Sequence, residues 1–213
     1  MLSFVKHYYP DVIVWPNDAP VPEVNYHLSV MCLPRLIGEE VPAPKAKVSR
    51  GTGIGVCWFG SPTHKADHLR SVPVEMFGKI ADTIDGKLMS LGYGYFWNYE
   101  NGFAVSDNKP DFLEYCAINE AHDWLDTAKF VDTLDLIITV DTAIAHLGGF
   151  LGVETWLLLP YVPDFRWGMK GDRTKWYPSM KLYRQPKLFD WESVFNRVSE
   201  DLEKRYEKKA AAA

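Results

Sequence analysis

From Gly53 onward, apolar and polar positions alternate between two patterns. Continuous apolar runs of about five residues read as buried strands, and runs with apolar residues three and four apart read as helices. Gly53–Phe59 (GIGVCWF) predicts a first strand, and Gly60–Arg70 a polar loop. Pro73 opens an amphipathic helix carrying Met76, Phe77, Ile80, Ala81 and Ile84 on one face. Gly86 stops that helix, and Lys87–Leu91 follows as a strand. Gly92–Pro110, rich in Gly, Asn and aromatics, predicts a loop, and Tyr115–Ile118 a third strand. Asp123 caps a helix toward Leu134, with Leu125, Ala128, Val131 and Leu134 inward. Leu136–Val140 is a strand, Ala143–Phe150 a small-residue helix ended by Gly152, and Thr155–Leu159 the next strand. Pro160–Pro178 is a long aromatic loop. Met180–Tyr183 is a last strand, and Asp190 caps a charged helix to about Arg205. Strands alternating with helices predict an α/β fold: a doubly wound parallel sheet with right-handed crossovers.

Met1 to about Lys47 departs from this rhythm. Prolines at 10, 16, 20, 22, 34, 42 and 44 break it into short extended pieces. Val12–Trp15 could form a short strand and Val30–Ile37 a turn or two of helix. The segment has too little periodic apolar sequence to fold alone and is expected to pack across the domain that follows. The organisation is therefore a Pro-rich segment over 1–50, the α/β domain over 51–207 and a tail over 208–213.

Composition narrows the function classes. The net charge of −5 argues against generic nucleic-acid binding. The three cysteines, Cys32, Cys57 and Cys116, lie far apart, which fits buried thiols in a reducing compartment. No apolar run approaches the roughly 18 residues of a membrane helix, and Met1–Pro10 lacks a secretion signal. The expected location is cytoplasmic. Aromatics reach 14%, with eight tryptophans. They read as anchors pinning loops to the core, or as a stacking platform for a base or sugar.

Three clusters could carry chemistry. At Asp141-Thr142-Ala143 a strand runs straight into a helix, which aims free amides and a positive helix end beyond the strand. Thr142 can offer a hydroxyl and an amide to a phosphate, Asp141 can cap the helix, and His146 lies one turn in. Alternatively, Asp141 is only a cap and His146 only packs. Lys65, His68 and Arg70 sit in the loop after the first strand, at the same sheet edge. There they are either solvated or placed to neutralise a diphosphate. Asp164, Arg166 and Trp167, with Asp172 and Arg173, either staple the aromatic loop down or line a site. No metal-ligand spacing is present: Asp107, Asp111 and Glu114 pair with no His, and the cysteines form no zinc motif. Phosphate-loop, dinucleotide and serine-hydrolase signatures are absent.

The stretches GIGVCWFGSPTHKADHLRSVPVEMF and LDLIITVDTAIAHLGGFLGVETWLLLPYVPDFRWGMKGDRTKWYPSMKLYRQP resemble the C-terminal domain of bacterial GT-B glycosyltransferases. The nearest likeness is to the glycosyltransferase-like domains that follow tetratricopeptide repeats. These are related to the heptosyltransferases of glycosyltransferase family 9 and, more distantly, to O-GlcNAc transferases. The DTAIAHLGGFLG, LLLPYVPDFRW and WYPSMKLYRQP blocks occur in order, and SVMCLPRLIG looks like the end of the preceding half. The resemblance implies a Rossmann-like half of a GT-B enzyme that binds a nucleotide-diphospho-sugar donor as substrate, with no metal and no further cofactor. It places Asp141, Thr142, Ala143 and His146 on the donor diphosphate. Gly60, Ser61, Lys65 and Arg70 fall on the loop that carries basic leaving-group contacts, with Lys65 and Arg70 the expected catalytic cations. Only about 50 residues precede this domain. Most of the half that supplies the acceptor surface and the catalytic base is thus expected to be missing, and neither Asp11 nor Asp18 replaces it. The alternative is a non-catalytic binding or assembly module, completed by a homo-oligomer or a partner chain.

Overall fold

The structure is a computed structural model. It describes residues 2–15, 19–20, 22–24, 53–61, 63–84, 86–92, 99–100, 103–104, 110–116 and 123–212. Six strands form one parallel sheet: β1 (Ile54–Cys57), β2 (Leu88–Ser90), β3 (Leu113–Glu114), β4 (Leu136–Val140), β5 (Thr155–Leu159) and β6 (Met180–Arg184). Their spatial order is β3-β2-β1-β4-β5-β6. The chain winds outward from β1 in one direction, returns to the centre, and winds outward from β4 in the other. This is the doubly wound, Rossmann-like α/β order. The register is continuous across the centre, with Gly55 opposite Ile137 and Ile138 opposite Trp156.

Helices cover both faces, as a parallel sheet requires. On one face lie α3 (Gly78–Ile84), preceded by a 3-10 turn at Val74–Phe77, and α6 (Trp191–Ala212). The other carries α4 (Trp124–Val131) and α5 (Ala143–Leu151). The alternation of a strand sorts the core between them. Leu136, Ile138, Val140, Trp156 and Leu158 join Phe77, Ile80, Phe195 and Leu202, while Ile137 joins Ala128, Val131, Ile144 and Leu147. Leu157 and Leu159, on the second face, meet Trp167, Met180 and Leu182.

The β4–α5–β5 unit follows the sequence expectation closely. Strands β4 and β5 have the expected limits, and α5 runs one residue further. Gly152 caps α5 with φ +74°, and the amides of Gly152 and Val153 return to the carbonyls of Gly149 and Gly148. That left-handed cap suits glycine. Asp123 caps α4 by accepting the Leu125 amide, and Asp190 accepts the Ser193 amide at the start of α6.

Other expectations shift. The third strand is Leu113–Glu114, two residues before the expected start, because Leu113 is the fully buried residue that pairs with Leu88. The expected Ile118 lies outside the described residues. Residues 99–100 and 103–104 form a small antiparallel hairpin within the expected loop. Asp67–Arg70 forms a short helix, α2, and α6 stays helical well past Arg205. Val12–Trp15 is not a strand, and Val30–Ile37 lies outside the described residues. Leu2–Tyr8 is instead a helix, α1, that packs across the domain. The Ser3 hydroxyl donates to the Asp123 carboxylate, and Phe4 and Tyr8 lie within 4.9–5.6 Å of each other and of Phe150. Among the described residues, no helix is long and apolar enough to cross a membrane.

Helix α5 lies close on the sheet because Gly148 has no side chain. A Cβ there would stand 2.5 Å from Thr155 Oγ1 and 2.6 Å from Ile137 Cδ1. Thr155 and Ile137 belong to buried strands and have little room to give. Gly148→Ala is expected to destabilise the fold by about 1–3 kcal/mol through overpacking. Urea unfolding tests this: the midpoint should fall at an unchanged slope, and an unchanged midpoint would contradict the close packing.

Candidate functional site

The strand order reverses between β1 and β4, the position at which a doubly wound sheet opens a crevice at its carboxyl edge. The two loops facing it carry the residues expected from the sequence. After β1 the chain passes through Gly60 and Ser61 into α2. After β4 it passes through Asp141 and Thr142 into α5.

Arg70 ties the two loops together. Its Nε donates to Asp67 Oδ1 at 2.8 Å and its Nη1 to the Asp141 carbonyl at 2.7 Å. Asp67 is 2% exposed, and its other oxygen accepts the Ser71 hydroxyl at 2.7 Å. Ser71 Oγ in turn accepts the Gly60 amide at 3.0 Å. Arg70 is thus a structural tether first, with its charge matched by a buried carboxylate. Its Nη2 makes no hydrogen bond among the described residues and lies over Gly60. A Cβ at Gly60 would stand 2.3 Å from Nη2 and from Asp67 Oδ1. Glycine lets the Arg70 guanidinium and the Asp67 carboxylate close against the backbone there.

Asp141 does not cap α5 through its carboxylate. Thr142 is the N-cap residue, with extended backbone, and it makes no side-chain cap bond. Its hydroxyl turns back toward the strands, 3.4 Å from Thr139 Oγ1 and 3.9 Å from Cys57 Sγ. The first-turn amides of a helix have no intrahelical acceptors. Here the Ala145 amide donates to the Thr142 carbonyl at 3.1 Å, the Thr142 side chain caps none of the others, and Ala143, the first helical residue, is exposed.

His146, one turn on, faces the loop that follows β5. Its ring stacks on Trp167 at 5.1 Å and 25°, and Nδ1 lies 3.0 Å from the Tyr177 hydroxyl. Burial holds the imidazole below its ordinary pKa, helped by Arg166 and opposed by Asp141 and Asp164. Burial also pushes the Tyr177 phenol up. Gly149 makes the Tyr177 contact possible: a Cβ there would stand 2.3 Å from Tyr177 Cγ.

The remaining candidates separate from this centre. Lys65 and His68 are exposed, and Lys65 makes no ion pair among the described residues. Ser61 is exposed and bonds Thr63 within its own loop at 2.8 Å. Asp164 caps the 3-10 turn Phe165–Trp167 and pairs with Arg166 at 2.9 Å. The Asp172 carbonyl accepts the Leu182 amide, and Arg173 reaches the Met180 carbonyl at 3.5 Å. Stapling is what these residues do. Among the described residues, no three His, Cys, Asp or Glu side chains converge as a metal ion would need.

Sequence reading missed Asp67 and Tyr177. The three-residue spacing from Asp67 to Arg70 was a usable signal for the first, whereas nothing local marks Tyr177 as a partner of His146. No family model, curated protein or solved structure matches the chain.

Two outcomes follow from this geometry. Arg70→Met leaves the buried Asp67 without its cation and is expected to cost about 1–3 kcal/mol. Adding Asp67→Asn should recover part of that loss in urea unfolding, because neither charge is then left alone. For His146, the folded-state pKa lies below the unfolded one, so the unfolded chain binds the proton first on acidification. The stability held above about pH 6.5 is lost as pH falls toward the folded-state value. Melting temperature should therefore drop less between pH 7.5 and 5.5 in His146→Gln than in the unsubstituted protein. An equal drop in both would contradict the buried, neutral imidazole.

Proposed function

We propose that this chain binds the diphosphate of a nucleotide sugar at the crevice between β1 and β4, and acts as a GT-B type glycosyltransferase-like protein. The observation that carries the reading is the α5 N-terminus. At the point where the strand order reverses, its first turn has no side-chain cap and an exposed Ala143. Amides and a positive helix end in that position suit an anion of phosphate size.

In this reading the Ala143 and Ile144 amides hold one phosphate, with Thr142 at its flank. Arg70 Nη2, over Gly60, meets the second. Lys65, exposed on the loop after β1 and outside this centre, adds charge as the nucleoside diphosphate leaves. Stabilising that leaving charge is electrostatic work suited to fixed donors. Transfer also needs a base for the acceptor hydroxyl, and none of the described residues at the crevice is assigned that part.

A second reading is favoured by a separate observation. Tyr161, Val162, Phe165, Met169, Leu188 and Phe189 are 48–76% exposed. All belong to the loops leaving β5 and β6, at the same sheet edge as Thr142. Apolar side chains gathered on one edge mark an interaction surface. A non-catalytic assembly module, or a half completed by a partner chain or a second copy, would use it.

Thermal melting with UDP, GDP and ADP and their sugar conjugates tests the first reading. A ligand at a hundred times its Kd stabilises the fold by about 2.7 kcal/mol, which raises Tm by several degrees for a chain of this size. No shift at millimolar concentration with any of them would overturn it. Light scattering tests the second: a monomer at all concentrations argues against self-association.

A further inference from the structure

We propose that Arg184 is a positioning residue for the ligand site at the start of α5, acting through Trp167 and His146. This rests on the reading of that site as a diphosphate site.

Arg184 ends β6 and turns its guanidinium into the loop after β5. Nε donates to the Gly171 carbonyl at 2.8 Å, Nη1 to Gly168 at 2.8 Å, and Nη2 to Trp167 at 2.6 Å and Lys170 at 3.4 Å. Carbonyl dipoles converging on one point repel each other unless a cation sits among them. A planar fork of five N–H donors satisfies several at once, and a lysine ammonium cannot reproduce that spread. The loop is shaped for it: Gly168 and Gly171 have φ +60° and +81°, and nothing stands within 4 Å of a Cβ at either. Backbone conformation, rather than space, demands glycine there. Arg197 donates to the Arg184 carbonyl, so α6 fixes the base of the fork.

The held loop delivers Trp167. Its ring is 3% exposed, packed with Ala145, Leu157 and Met180, and its Nε1 makes no hydrogen bond among the described residues. Apolar packing holds the ring, and hydrogen bonds hold its backbone: the amide donates to the Asp164 carbonyl at 3.0 Å, and its own carbonyl accepts from Arg184. Trp176 Nε1 holds the neighbouring Arg166 carbonyl at 2.9 Å. Trp167 then stacks on His146, whose Nδ1 meets Tyr177. Asp141, Asp164 and Arg166 are the charged groups that act on this imidazole. Arg184 thus governs, two contacts away, where the His146 ring stands beside the first turn of α5.

Two readouts on Arg184→Gln test this, with Arg184→Lys beside it. The first is the proton titration of His146 by NMR, assigned by its loss in His146→Gln and independent of any ligand. The second is calorimetric binding of UDP, GDP and ADP. In the unsubstituted protein His146 titrates below an exposed histidine. In both variants it is expected to move toward the exposed value, and nucleotide affinity to fall at least tenfold. An unchanged His146 titration, or affinity within twofold of the unsubstituted protein, overturns the role of Arg184. If no nucleotide binds the unsubstituted protein, the diphosphate reading fails, and the His146 titration still decides whether Arg184 sets that ring. Should Arg184→Gln not fold, Arg184→Lys carries the test alone, with the same two readouts and the same outcomes.

Discussion

The pairing of β1 with β4 is the constraint on which the rest of this molecule depends. Because β4 is added beside β1 instead of beyond β3, the chain must wind away from the centre in both directions. A doubly wound sheet opens a gap between the loops that leave its two central strands. Backbone groups at such a gap must be satisfied by something. Arg70 does part of this by joining Asp67 to the Asp141 carbonyl, and the start of α5 is left without a side-chain cap. The sheet therefore produces the crevice, and the side chains only decide how it is lined.

A second layer of order comes from the loop after β5. It is too long and too polar in its backbone to be held by apolar contact alone. Arg184 gathers its carbonyls, Trp176 holds one more, and Asp164 caps its 3-10 turn. These tethers lay aromatic rings against α5, and Gly149 is bare so that Tyr177 can lie there. The helix end that faces the crevice is thus braced from the sheet by Gly148 and from the loop by Trp167 and Tyr177.

Legibility in the sequence followed the locality of the interactions. Strands β4 and β5 and the end of α5 were readable because continuous apolar runs and a left-handed glycine are local signals. The turn from strand to helix at Thr142 and Ala143 was legible for the same reason. The third strand was misplaced by two residues, since only the pairing of Leu113 with Leu88 sets its register. Helix α1 was missed: LSFVKHY has a weak helical pattern, and its place comes from Asp123 and Phe150, far along the chain. Arg70 was read as a cation for a ligand, whereas two of its donor positions are spent on tethers. Sequence names the charge of a guanidinium and not its direction. The links from Arg184 to four carbonyls leave no side-chain pattern at all.

Amide chemical shifts followed by NMR while a nucleoside diphosphate is added decide whether the start of α5 is the diphosphate site proposed above, because they report place as well as binding. A diphosphate held there gives saturable shifts that are largest at Gly60, Thr142, Ala143 and Ile144. Saturable shifts centred on another edge of the sheet, or none at millimolar nucleotide, would contradict it.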